Sequence, residues 1–273
     1  MRHPFIIIFL SALFLFVSSV FCFAAEFGYQ GTHILTHGAL EDLAKAFQKK
    51  YGIKVTVKGG GCSDGLAVII NDRYTMGGLC CPLNPKDARK HGLISHRVAI
   101  DMKAVIVNPK NPVKNLTLKQ VSDIHKGNIT KWKQVGIGFD KFDKEDRPIA
   151  LVFRDHCRDM DEPVRKALGI KGAVAKKAII VKTDQEIVKY VENFSSAIGV
   201  VSMVFAEKAN VRIIDVDGIS PIPENIGNGK YPIAGDLYII TKGIPAGLTR
   251  QFIDFVLSAD GQAIIGKRFA RIK

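Results

Sequence analysis

The sequence predicts an α/β protein of mostly parallel sheet flanked by helices, long enough for one large domain or two lobes. Three observations carry this reading. From Glu26 to Leu79 short strands alternate with stretches of helical period, the order that builds a parallel sheet. The same strand–loop–helix order returns from Ile149 onward. Between the two runs lies the apolar strand DMKAVIVN (Asp101–Asn108), closed by Pro109 and Pro112, as expected of a strand leaving one lobe for the other.

The chain opens MRHPFIIIFLSALFLFVSSVFCFAAEF, with a positive charge at Arg2, a long apolar run, and small residues at Ala24 and Ala25. This is the layout of a secretory signal peptide, so residues 1–24 are set apart as a signal cleaved near Ala24 and the product is expected in the periplasm. A retained anchor is the alternative. No later apolar run is long enough to span a bilayer. Glu26–Thr32 then reads as a short strand ending at a Gly31–Thr32 turn. HGALEDLAKAFQKKYG places Leu40, Leu43, Ala44 and Phe47 at helical spacing, and Gly52 stops it. Ile53–Val57 alternates as a strand, the Gly59–Gly61 loop follows, a helix runs through Leu66–Ile70, and Tyr74–Leu79 is a second short strand.

Beyond the crossing strand, Thr117 is placed to cap a helix with Val121 and Ile124 on one face. Asn128–Trp132 holds the single tryptophan, and FDKFDKEDRP (139–148) is a charged surface turn. Strand Ile149–Phe153 runs into Arg154-Asp155-His156-Cys157-Arg158-Asp159-Met160-Asp161. Asp159 or Asp161 would cap the helix through Pro163–Leu168, with Pro163 in its first turn. A strand (AIIVK), a helix from Thr183 to Asn193 and the strand AIGVV follow. A turn-rich segment (213–235) leads to the strand LYIIT and a final amphipathic helix, LTRQFIDFVLSADGQAIIGK.

The charge is basic, 39 Lys and Arg against 26 Asp and Glu. Such a surplus suits nucleic acid, an anionic membrane face or a small anion. The lysines are scattered with little aromatic interleaving, which argues against nucleic acid. Much of the surplus reads as a solvated basic surface.

Export leaves four cysteines, Cys62, Cys80, Cys81 and Cys157. In an oxidising compartment the plain expectation is one or two disulfides, such as Cys62 with Cys80 or Cys81. Adjacent Cys80 and Cys81 cannot bridge each other without local strain. Three of the four lie in KGGGCSDGLAVIINDRYTMGGLCCPL (58–83), where two glycine-rich loops each join an apolar segment. A glycine triplet running into a helix presents backbone N–H groups at a positive dipole end, which favours anions or thiolates near Cys62.

HKGNITKW (125–132), AIGVVS (197–202), DGISPIPENIGNGKYPIAGDLYIITKG (217–243) and FIDFVLSADGQAII (252–265), in this order, resemble phosphate-type periplasmic solute-binding proteins of ABC importers. The resemblance covers essentially the whole mature chain. It implies the two-lobed periplasmic-binding-protein fold, with lobes joined by crossing strands and closing on a ligand in the cleft. Lobe 1 is expected at 25–105 and from about 212 to 273, and lobe 2 from about 106 to 211. The resemblance further implies a monomer, not an enzyme, whose partner is an importer permease or a membrane sensor kinase.

In that family four loops hold the oxyanion with hydroxyls, backbone N–H groups and arginine. The first corresponds to Gly31–Thr32. In the second, Cys62 stands at the usual serine, with Ser63 next. In the third, Cys80–Cys81 replaces a serine–arginine pair. In the fourth, Arg154 stands, but Cys157-Arg158-Asp159-Met160 replaces a Gly-Ser-Gly-Thr run. Ala234-Gly235-Asp236 occupies the place of a later arginine. The ligand residues implied are Thr32, Cys62, Ser63, Cys80, Cys81, Arg154 and Cys157.

Thiols are weak hydrogen-bond donors, and a lost arginine removes a bidentate clamp. A helix start that stabilises phosphate also lowers a cysteine's pKa. Three convergent sulfurs suit Zn, Cu(I) or trivalent arsenic. Cys62, Cys80, Cys81 and Cys157 therefore form a second candidate, a thiol site for a soft ion, with His33, His156 and Met160 as spare donors. No other cofactor is expected. Cys157 as a nucleophile with His156 or His33 as base is a remote enzyme reading, since no orienting acid can be assigned.

Overall fold

A computed structural model describes residues 25–136, 148–155 and 162–272 of the chain. The signal segment, most of the charged turn after Val135, and the Asp159 and Asp161 cap candidates lie outside the described residues, as do Cys157, His156 and Met160.

The first run is β1 (Glu26–Thr32), α1 (His33–Leu35) continued by a π-helical turn, α2 (Glu41–Tyr51), β2 (Thr56–Gly60), α3 (Cys62–Ile70), β3 (Tyr74–Leu79), α4 (Pro85–His91) and β4 (Leu93–Val107). β1 pairs in parallel with both β2 and β3, as the alternating pattern predicts. α2 buries Leu43, Ala44 and Phe47 and ends where Gly52 takes a left-handed conformation at φ +73°. β2 begins later than its alternation suggests, so Gly59 and Gly60 are strand residues paired with Gly31 and Thr32.

The second run is β5 (Asn115–Leu116), α5 (Leu118–Lys126), β6 (Ala150–Arg154), α6 (Pro163–Ala167), β7 (Ile179–Val181), α7 (Asp184–Asn193), β8 (Ala197–Ser202), α8 (Met203–Ala206), β9 (Arg212–Val216) and α9 (Pro223–Gly227). Thr117 caps α5 and Thr183 caps α7, each in a capping box with the residue three further on. Glu162, which the sequence reading passed over, caps α6 by accepting from the backbone N–H of Arg165 at 2.8 Å. The chain closes with β10 (Ala234–Lys242), α10 (Gly247–Leu257) and α11 (Ala259–Ile265). The expected single final helix is broken at Ser258, which caps α11. Gly261 packs there on the carbonyl oxygens of Phe255 and Val256, a space that only glycine fits.

The strand order is β2-β1-β3-β10-β4-β8-β6-β7. β4 is the crossing strand. Its first half pairs with β10, and its second half, Lys103–Val107, pairs with β8. The cores divide along it: Val98 and Ala99 pack with Tyr29, Phe47 and Phe252, whereas Val105 and Val107 pack with Trp132, Leu151 and Ile198. β9 pairs with Val105–Val107, and Ile214, Val216, Ile226, Tyr231 and Ile233 join the second core. Val204 of α8 also reaches the first core, and past β9 the chain returns there at β10 with Leu237, Ile239 and Ile240. Among the described residues no helix is long and apolar enough to cross a membrane.

In the second core His125 is fully buried against Phe153 and bonds the carbonyl of Val121 at 2.7 Å through Nδ1. Burial pulls its pKa down to about 4. A depressed histidine contributes stability that is intact above its unfolded value near 6.5 and lost as pH falls toward 4. We expect unfolding free energy to drop by about 3 kcal/mol from this group across that window. Urea denaturation at stepped pH should show this excess slope in the native chain and its loss in His125→Leu; equal slopes would contradict it.

Candidate functional site

Groups at strand ends of both lobes, Cys80 after β3 and Arg154 on β6, lie within electrostatic reach of Lys103 on β4. In the first lobe Thr32 pairs with Gly60, and Gly31 pairs with both Gly59 and Gly78. The loops leaving these ends carry His33, Gly61–Ser63 and Cys80–Cys81. In the second lobe β6 runs parallel to β7 and β8 and ends at Arg154 opposite Val181, with Asp184 opening the helix after β7. His33 and Arg154 are close enough for the guanidinium to help lower the histidine's pKa, behind burial and His37.

Glycine packing sets the first-lobe geometry. A Cβ on Gly65 of α3 would lie 2.5 Å from the carbonyl oxygen of Gly78. One on Gly77 would collide with the Gly65 carbonyl, one on Gly31 with the Gly78 backbone, and one on Gly78 with the Tyr29 phenol. Helix α3 therefore rests backbone to backbone on β3, a separation no side chain permits. Its first residue, Cys62, is thereby held beside Cys80 at the end of β3.

The three sulfurs of Cys62, Cys80 and Cys81 lie within 4.8 Å of one another, all buried. Cys62 Sγ is 3.3 Å from Cys80 Sγ and accepts from the backbone N–H of Cys80 at 3.2 Å. Cys80 Sγ is 4.0 Å from Cys81 Sγ. These are contacts between sulfurs and not bonds, which span about 2.05 Å. At the start of α3 the Asp64 carboxylate accepts from the N–H of Gly61 at 2.7 Å, so negative charge already occupies part of this helix end. Ser63 is exposed, whereas Thr32 is buried at the β1 end. His33 lies against Gly59 and stacks on His37 at 5.5 Å. Its Nδ1 meets no hydrogen-bond partner among the described residues.

Arg154 is held through Nε by Asp184 at 3.2 Å. Asp184 also accepts from the N–H of Ser202, whose hydroxyl donates to Asp101 at 2.7 Å. Asp101 in turn pairs with Lys103 at 2.6 Å, both fully buried on the crossing strand. Burial drives the Asp101 carboxyl up against the opposing pull of Lys103. Burial works to lower Lys103, but Asp101 and Asp184 outweigh it and hold the ammonium charged. Cys80 also lies within electrostatic reach of Lys103.

The structure thus brings together Cys62, Cys80 and Cys81 at one lobe and places Arg154 across from His33. The sequence reading missed Asp101, Lys103, Asp184 and Ser202. A signal was present: Asp101 and Lys103 share one face of an otherwise apolar strand, where charges are rare unless paired. Lys103→Met should cost about 3–5 kcal/mol in urea denaturation, because it strands a buried carboxylate. Asp101→Asn with Lys103→Met should recover much of that loss, and a loss under 1 kcal/mol for the single variant would contradict the pairing.

Comparison with known proteins fits this architecture. Residues 36–260 match the PBP superfamily domain. The phosphate-binding protein PstS of Bacillus subtilis (strain 168) is 28% identical over 213 residues, 77% of this chain and 68% of that protein. PstS of Borreliella burgdorferi is 26% identical over 223 residues, 78% of this chain and 77% of the relative. Among solved structures, a Clostridium perfringens protein with bound phosphate, named as a phosphate ABC transporter substrate-binding protein, aligns with a TM-score of 0.78 at 27% identity. The alignment covers 90% of this chain and 99% of that one. An ABC-type phosphate transport receptor from Vibrio cholerae aligns with a TM-score of 0.70 at 25% identity over 90% of this chain and all of the other. The chain belongs to the PBP superfamily and has its two-lobed periplasmic-binding-protein fold.

Proposed function

We propose that this chain is an exported solute-binding protein of an ABC importer that captures a small oxyanion, phosphate in the first instance, between its lobes. The observation that carries the reading is the meeting of strand ends from both lobes. Thr32, Gly60 and the α3 N-terminus lie on one side, and Arg154, preset by Asp184, lies on the other. Ligands of open α/β sheets bind beyond the carboxyl ends of strands, where loops converge. The relatives named for phosphate support the choice of ligand class, and the apolar segment before Ala24 supports export to the periplasm.

In this reading the solute enters an open cleft and contacts the Thr32 and Cys62–Ser63 loops. It recruits Arg154 from the opposite lobe, so its binding energy favours the closed arrangement. The Asp184 bridge fixes the guanidinium before the anion arrives, which lowers the entropy lost on capture. The closed form is the one a membrane permease, or in the sensor variant a kinase, recognises. Turnover plays no part.

Calorimetric titration of the mature chain with phosphate, arsenate and sulfate tests this. Phosphate at 100 times its Kd should stabilise the fold by about 2.7 kcal/mol. Arg154→Met should weaken binding about 10- to 100-fold, the loss of a charge-assisted hydrogen bond. Absence of heat and of thermal shift with all three anions would refute the oxyanion reading.

A further inference from the structure

We propose that Cys62, Cys80 and Cys81 form a three-sulfur site that captures one thiophilic ion, a soft d10 cation or a trivalent metalloid. The inference goes beyond oxyanion capture and stands whether or not phosphate binds.

The geometry carries it. With metal–sulfur bonds of about 2.3 Å, a tetrahedral centre sets its sulfurs about 3.8 Å apart and a trigonal one about 4.0 Å. The contacts of 3.3 and 4.0 Å, with all three sulfurs inside 4.8 Å, bracket these values, so an ion needs only small side-chain adjustments. The convergence is not a by-product of strand geometry. Successive residues of an extended strand point to opposite faces. Cys80 and Cys81 instead occupy a bend after β3 that turns both sulfurs to one side, toward a third on a different element.

The surroundings also suit a soft positive centre. Cys62 opens a nine-residue helix and accepts the Cys80 N–H, which holds its sulfur toward the other two. Asp64 places negative charge at the same helix start, which favours a cation and leaves a neutral acid unopposed. The walls are core residues, a dry shell that protects thiolate–metal bonds from water.

The chemistry balances without a redox step. A cation exchanges its bound water for three thiolates, and the three thiol protons go to solvent. Arsenous acid, As(OH)3, exchanges three As–O bonds for three As–S bonds; each hydroxide leaves as water with one thiol proton.

Native mass spectrometry of the reduced mature chain under anaerobic conditions is the test. Separate titrations use Zn(II), chelator-buffered Cu(I) and arsenite, followed by alkylation and peptide mapping. We expect at least one probe to add a single ion with loss of three protons and to protect Cys62, Cys80 and Cys81 together. Cys62→Ser and Cys81→Ser should each weaken that binding at least 100-fold, with folding checked by circular dichroism. If a variant fails to fold, the protection pattern of the native chain decides.

Three results would overturn the site. One is no 1:1 complex with any probe at micromolar concentration. Another is undiminished binding in the Cys62→Ser/Cys81→Ser double variant. The last is a disulfide joining any of the three to one another or to Cys157 in protein isolated without reductant. A phosphate titration on the same samples separates the readings: phosphate binding with no ion uptake sinks the sulfur site alone, and ion uptake with no anion binding sinks the oxyanion reading alone.

Discussion

Backbone-to-backbone contact between α3 and β3 is the constraint on which the first lobe depends. Gly31, Gly65, Gly77 and Gly78 leave no room for a Cβ, so the helix settles directly on the sheet with Tyr29 beneath it. The position of the helix start follows, and with it the position of Cys62 relative to the end of β3. A helix held one side-chain layer further out would separate Cys62 from Cys80 by several ångströms. Interiors pack too densely for that gap to be filled by relaxation alone.

A second constraint acts across the lobes. β4 belongs to both sheets, and at the handover between them it carries Asp101 and Lys103, buried and paired. From Asp101 the chain of contacts runs through Ser202 and Asp184 to Arg154. Buried pairs of this kind contribute little net stability against an apolar core but are costly to break. Their effect here is geometric: the arginine at the cleft is oriented by groups anchored on the strand that both lobes share. A shift of one lobe against the other is therefore felt at Asp184 and Arg154.

Much of this was legible in the sequence. Alternating strands and helices gave the parallel first lobe, and capping residues such as Thr117 and Thr183 marked helix starts because their side chains have one local task. The crossing strand announced itself as an apolar run closed by Pro109 and Pro112. Other features depended on tertiary contact and carried no local signature. Gly77 and Gly78 read as part of the strand Tyr74–Leu79 and Gly65 carried no role, since nothing in a one-dimensional pattern separates a glycine needed for conformation from one needed for close approach. Strand alternation would have pointed Cys80 and Cys81 apart, and only the bend after β3 turns their sulfurs together. The pairing of β9 with the second core was not legible, because β9 is short and its partners are Val105–Val107, far away in sequence. Cys157 falls outside the described residues, so the three sulfurs of the first lobe stand on their own geometry.

The central claim is that strand ends of both lobes close on one small solute. Small-angle X-ray scattering of the mature chain, reduced and monodisperse, tests it most directly when run alone, with phosphate, and with arsenite. The account predicts a smaller radius of gyration and a more compact distance distribution with at least one of the two solutes, and no such change in Arg154→Met with phosphate. Superimposable scattering curves in all three conditions would contradict it.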